Sequence, residues 1–139
     1  QCTVKDNVIY LKELIYQSGL TNSDLMDKLK ELIPNKNKPI YADTAEPNRI
    51  EEINRAGFNA HPSDKSVKDG IDFVKRQQLR VHKDSLSLIK ELQSYSYKKT
   101  KDGQVIDDPV KFNDHLMDST RYAIYNHLGK RVEPNIRFL

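Results

Sequence analysis

One cysteine, Cys2, and no tryptophan occur among the 139 residues. A lone thiol closes no internal disulfide and builds no cysteine-rich zinc site, which fits a reducing cytoplasm. Long hydrophobic runs are missing too: no stretch approaches the ~18 apolar residues of a membrane span, and no signal peptide is recognisable. These absences describe a soluble, intracellular chain. There is no internal repeat, no low-complexity segment, and no Gly-rich phosphate loop ending in Lys-Ser/Thr of the kind an ATP motor needs. Neither sign of charge dominates, since 23 basic residues face 20 acidic ones for a net charge of +3. That excess permits nucleic-acid binding without demanding it.

Apolar residues make up 37% and charged residues 31% of the chain, enough for one modest core and outside the disordered class. The length suits one domain, 1–139, and is too short for a motor domain plus a second catalytic domain. Residues Cys2 to Lys5 and Val8 to Tyr16 read as a hairpin turning at Asp6-Asn7. Thr21-Asn22-Ser23-Asp24 resembles a capping box, and Leu25, Met26, Leu29, Leu32 and Ile33 follow at helical spacing until Pro34. Pro39-Ile40-Tyr41-Ala42-Asp43 is a short strand, residues 47–56 a helix between Pro47 and Gly57, and Phe58 to His61 another strand. Ser66-Val67-Lys68-Asp69 repeats the capping pattern ahead of a helix with Val67, Ile71 and Val74 inward. Leu79 to His82 is a strand, and Asp84 caps a helix through Gln93. Tyr95 to Lys99 and Val105-Ile106 flank the hairpin signal Asp102-Gly103. The last helix runs from near Asn113 to Gly129. Strands alternating with helices after an initial hairpin indicate an α/β domain with a mixed sheet.

Asp43 ends a strand and Asp118 sits in the last helix. Two such carboxylates, far apart in sequence, can hold divalent metal ions over a shared phosphate if the fold brings them together. Taken alone, each is more often a turn residue or a solvated helix residue. On a helical wheel His115, Asp118, Tyr122 and Tyr125 share one side, while Leu116, Ala123, Ile124 and His127 share the other. Asp118 therefore need not face the core, and for an isolated helix the first side is simply wet. Asp114 sits where the helix N-terminus favours negative charge.

Four segments, taken in order, resemble the nuclease domain of phage terminase large subunits: Tyr41-Ala42-Asp43-Thr44-Ala45-Glu46-Pro47; Ser66-Val67-Lys68-Asp69-Gly70-Ile71; Asp102-Gly103 with Pro109; and Asn113-Asp114-His115-Leu116-Met117-Asp118-Ser119-Thr120-Arg121-Tyr122. The resemblance spans nearly the whole chain. It implies a ribonuclease H-like mixed sheet flanked by helices, and an endonuclease that cuts concatemeric double-stranded viral DNA with Mg²⁺ or Mn²⁺. Asp43 matches the family's second acidic position, Asp118 the acidic position on the late helix, and His115 a histidine three residues before it. The family's first metal-binding Asp lies on a first strand in a Gly-hydrophobic-Asp-aromatic-Gly segment. No such segment precedes Cys2, and Asp6 in the hairpin turn is a poor substitute, so the domain is expected to be truncated at its N-terminus. The packaging ATPase is expected on another part of the parent protein.

Hard carboxylate oxygens suit Mg²⁺ or Mn²⁺, whereas thiolate or His-rich sets point to zinc. The resemblance thus implies Asp43 and Asp118 as metal ligands, Asp114 as the alternative, and His115 as a ligand, proton shuttle or orienter of water. Glu46 reads as a first-turn helix residue. Lys65, Lys68, Lys98, Lys99 and Lys101 are candidates for DNA phosphate contacts, or equally a solvated edge. His61, His82 and His127 show no ligand spacing and read as structural. Implied partners are duplex DNA, the terminase small subunit, the portal and procapsid, and ATP through the absent motor, in the bacterial host cytoplasm. Two competing readings are a resolvase- or transposase-like nuclease of the same architecture, and a non-catalytic DNA-docking domain.

Overall fold

The structure is a computed structural model and describes residues 1–94, 97–109 and 114–129. Its first elements are β1 (Cys2–Lys5) and β2 (Val8–Leu11), an antiparallel pair in the register Lys5↔Val8 to Cys2↔Leu11. The turn between them holds Asp6 and Asn7 at φ 51° and 60°. Two consecutive left-handed residues are what a tight two-residue hairpin requires, and Asp and Asn tolerate that conformation better than other non-glycine residues. The second strand stops at Leu11, short of the expected Tyr16. Beyond Leu11 the backbone amide of Glu13 leaves the ladder and donates to Ser85 Oγ at 3.0 Å.

Helix α1 (Asn22–Leu32) begins with the expected capping box: Asp24 N donates to Thr21 Oγ1, and Thr21 N to Asp24 Oδ2. After β3 (Pro39–Ala42) comes α2 (Pro47–Arg55), with proline in its first turn where no amide is needed. The chain then turns at Gly57, φ 90°, into β4 (Asn59–Pro62), which pairs in parallel with β3. Leu29, Ile53, Phe58 and Ala60 form a buried cluster between α1, α2 and this strand pair.

Helix α3 (Val67–Lys75), β5 (Gln78–Val81) and α4 (Leu86–Ser94) follow, then the hairpin β6 (Tyr97–Lys99) and β7 (Val105–Pro109). Strand β5 pairs in parallel with β2, giving the order β1-β2-β5. The described strands thus form a three-stranded mixed sheet, the two-stranded parallel sheet of β3 and β4, and the β6–β7 hairpin. Ser66 does not cap α3 with its side chain: its hydroxyl donates instead to Asp64 Oδ1 at 2.5 Å. Asp84 likewise yields its expected capping role to Glu13, whose Oε2 accepts from Leu88 N at 2.9 Å. Tyr95 and Asn113, two expected element ends, lie outside the described residues.

The last helix, α5 (His115–Ile124), passes into a π-helical turn at Tyr125–Gly129. It packs against α3, α4, β3 and β1. Ile124 joins Ile9, Leu11 and Leu88 in a second buried cluster. Because α5 is covered on several sides, Thr120, Arg121 and Tyr122 are buried as well, so the side of the helix expected to be wet is dry at Tyr122.

The start of α5 is satisfied from outside the helix. Glu91 of α4, 3% exposed, accepts at Oε2 from Leu116 N at 2.7 Å and Met117 N at 3.1 Å. A carboxylate at a helix N-terminus meets both unpaired amides and the positive end of the dipole. Glu91→Ala should therefore cost about 2–3 kcal/mol, and Glu91→Gln less because its amide oxygen still accepts. Urea unfolding midpoints check this, and an unchanged midpoint for the alanine variant would show that the cap contributes nothing.

Candidate functional site

Parallel pairing of β3 and β4 sets both strand ends at one edge, with Ala42 opposite Pro62 and Ser63 N donating to Ala42 O at 2.9 Å. The residues just past those ends are Asp43 and the loop 63–66. Asp43 accepts from Ala45 N at 2.9 Å, which closes an Asx turn just past the strand. Its Oδ1 meets Lys65 Nζ at 2.5 Å, with both side chains close to half exposed. The Lys65 ammonium, and secondly the Ala45 amide, hold the Asp43 carboxyl below its ordinary value. Lys65 is raised in turn, chiefly by its bond to Asp43, with smaller contributions from Tyr122 and Asp118.

Helix α5 brings Asp118 to the same place. Asp118 Oδ1 accepts from Arg121 Nη2 at 2.8 Å, one turn along the helix. Arg121 is 6% exposed and donates through Nη1 to Ser66 O at 3.1 Å. Its guanidinium carbon stands 4.8 Å from the Tyr122 ring centre. Burial pushes the Tyr122 phenol up, and Asp118 and Asp43 both push it further. The adjacent residues Lys65 and Ser66 thus link Asp43 to Asp118 through Arg121, although the two carboxylates stand 75 positions apart in the numbering.

The other expected site residues are placed differently. His115 is exposed and borders a recess formed by residues 15–21 with Leu25, Arg49 and Leu116. Asp114 is the N-cap of α5 but makes no side-chain cap bond, Glu91 having taken that role. Glu46 is the N-cap of α2 and lies 3.8 Å from Arg49. Asp6 is in the hairpin turn. Lys68 and Lys101 are exposed, whereas the side chains of Lys98 and Lys99 lie outside the described part of the chain. His127 meets Tyr41 Oη through Nδ1 at 3.1 Å, and His61 sits with its ring centre 6.0 Å from that of Tyr41. His82 Nδ1 accepts from Asp84 N at 3.3 Å. Among the described residues no group of three or more His, Cys, Asp and Glu side chains is gathered for a metal ion.

Arg121, Tyr122 and Ser66 were not singled out from the sequence as site residues, and Lys65 was, but as a DNA phosphate contact and not as the partner of Asp43. The one available signal was the i, i+3 spacing of Asp118 and Arg121, which lets the two side chains meet on a helix.

The Asp43–Lys65 pair has a definite pH signature. A folded carboxyl held below its unfolded value contributes stability above the unfolded pKa, and that contribution is lost as pH falls through the lowered folded pKa. Lys65→Ala should raise the Asp43 titration midpoint toward the ordinary carboxylate value, as read by ¹³C NMR of the carboxyl group. An unmoved midpoint would show that the ammonium is not what lowers it.

Known proteins share this arrangement of elements. The family model for the terminase RNase H-like domain matches residues 1–126. The PBSX phage terminase large subunit of Bacillus subtilis (strain 168) is 24% identical over 91% of the chain, which spans about a third (32%) of that relative. The Mn-bound nuclease domain of the g2p large terminase from bacteriophage SPP1 superposes with a TM-score of 0.80 at 20% identity. It covers 91% of this chain, which covers 76% of it. The large terminase of the thermophilic bacteriophage D6E superposes with a TM-score of 0.72 at 23% identity, covering 90% of this chain and 35% of its own length. The match of fold, element order and family model over most of the chain leads to one conclusion: the chain belongs to the terminase RNase H-like domain family.

Proposed function

We propose that this domain is the endonuclease module of a phage terminase large subunit, cutting concatemeric double-stranded DNA with Mg²⁺ or Mn²⁺. The observation that carries the reading is that consecutive loop residues reach both carboxylates: Lys65 meets Asp43, and the Ser66 carbonyl meets Arg121, which holds Asp118. The donor set is hard oxygen, and a cationic ammonium already sits against Asp43, so the site chemistry fits a divalent cation. Asp43 and Asp118 would hold it, with Asp114 at the start of the same helix as the alternative ligand. When bound, such ions neutralise phosphate charge and lower the pKa of the attacking water. Tyr122 and Arg121 close the inner side of the site against solvent, since both are buried. His115, exposed one helical turn from Asp118, is the candidate to orient water or carry a proton.

Among the described residues β1 and β3 each pair on one side only, and α5 packs against both, so a further strand between them is compatible with the fold, and under this reading it would carry a third carboxylate. The motor domain that hydrolyses ATP, the small subunit, the portal and the procapsid are assigned to the parent protein's context in the host cytoplasm.

In the full-length protein with Mn²⁺, supercoiled plasmid should be nicked and cut without preference for branched DNA. Asp43→Ala and Asp118→Ala should each lower the rate by about a hundredfold or more, the effect of losing several kcal/mol of transition-state stabilisation. A folded full-length protein that leaves plasmid intact with Mn²⁺ present sinks the nuclease reading in favour of a docking role. A strong preference for four-way junctions would instead assign a resolvase-like substrate. If Lys65 and Lys68 contact phosphate, replacing each by alanine should shrink the salt dependence of DNA binding by roughly one unit of slope, as measured by anisotropy across a NaCl series.

A further inference from the structure

The two carboxylates are held by consecutive residues of one short loop. The Lys65 side chain reaches back to Asp43, and the Ser66 carbonyl accepts from Arg121, whose other nitrogen holds Asp118. That loop is anchored at each end. Ser63 N is tied to Ala42 O at the end of β3. Asp64 N donates to Asn126 Oδ1 at 2.9 Å, in the π-helical turn that follows α5, and Asp64 Oδ1 accepts from Ser66 N at 2.7 Å. The loop therefore connects the strand bearing Asp43 to the helix bearing Asp118 through contacts of fixed length.

We propose that Arg121 is a positioning residue which, braced by the loop 63–66, sets the orientation of Asp118 and its spacing from Asp43. The planar guanidinium suits the task, because two nitrogens in a rigid fork bind two fixed acceptors where a lysine ammonium meets them from a single point. It occupies Oδ1 of Asp118 and so fixes the orientation of a carboxylate that would hold a cation. Outer partners of this kind tune ligands and matter nearly as much as the ligands themselves. The same bracket explains Gly70, a residue that weakens the interior of a helix. A Cβ at position 70 would stand 2.9 Å from Arg121 Cγ and Cδ, so glycine makes room for the arginine stem between α3 and α5.

This role rests on the nuclease reading, and the test separates the two. Mn²⁺ titration calorimetry and plasmid nicking are run on the full-length wild type, Arg121→Lys and Gly70→Ala, with circular dichroism as the check on folding. Both variants should bind Mn²⁺ about ten- to a hundredfold more weakly. They should lose nicking in kcat while KM for DNA stays within about twofold, since no DNA-facing group is removed. Folded variants with wild-type Mn²⁺ affinity overturn the proposal. A wild-type protein that binds no Mn²⁺ overturns the nuclease reading instead, and the brace is then judged by thermal unfolding of Asp118→Asn, Arg121→Lys and the double variant. Additive shifts sink the brace, and non-additive shifts uphold it.

Discussion

The parallel pairing of β3 with β4 is the constraint on which the site depends. Two parallel neighbours end on the same side of a sheet, and whatever follows them is delivered to one edge. Here that edge receives Asp43 from one strand and residues 63–66 from the other. The pairing is in turn held by the cluster of Leu29, Ile53, Phe58 and Ala60 beneath it. Burial of these side chains, at roughly 1.5–3 kcal/mol for each large one, fixes the register. A slip of one residue would turn Ala60 outward and move Ser63 away from Ala42.

Helix α5 supplies the second half of the site and could not do so as a free-standing helix. Ten residues of helix, His115–Ile124, are marginal in water without tertiary support. The support comes from Ile124 in the core with Ile9, Leu11 and Leu88, and from Glu91, whose carboxylate closes the first turn. One end of α5 is thus tied to α4 by charge and the other to the central cluster by apolar contact. Asp118 lies between the two ties. It remains close to half exposed while its neighbour Arg121 is buried, so a polar group is presented from a rigid support rather than from a mobile loop.

The local signals in the sequence were sufficient for most elements. Thr21 and Asp24 name the start of α1, Pro47 that of α2, and Asp6-Asn7 the first turn, because each acts through its own backbone within a few residues. Where the readings missed, a distant partner had won. Ser66 looks like a helix cap until Asp64 takes its hydroxyl, and Asp84 until Glu13 reaches in from just past the end of β2. Tyr122 looks solvent-facing on a helical wheel, but α5 is packed by four elements and has no wholly wet side at that position. The candidate carboxylates were legible through a family resemblance and not through spacing. Their support, Arg121 with the Ser66 carbonyl, was not legible, since a backbone carbonyl carries no residue identity and any sequence could have supplied it.

The two cations at the site are not equivalent. Like charges brought together at a strand edge repel, and a positive group beside each offsets the repulsion. Lys65 does this for Asp43 from a flexible, half-exposed stem, a contact that solvent screens and that can be exchanged at little cost. Arg121 does it for Asp118 from a buried position with a second bond to the backbone, and breaking its contact with Asp118 would leave a desolvated guanidinium without its counter-charge. Under the proposed function, Asp43 and Asp118 would hold a divalent cation whose charge would take over the offset that Lys65 provides, while Arg121 would keep its bonds to Asp118 and to the Ser66 carbonyl.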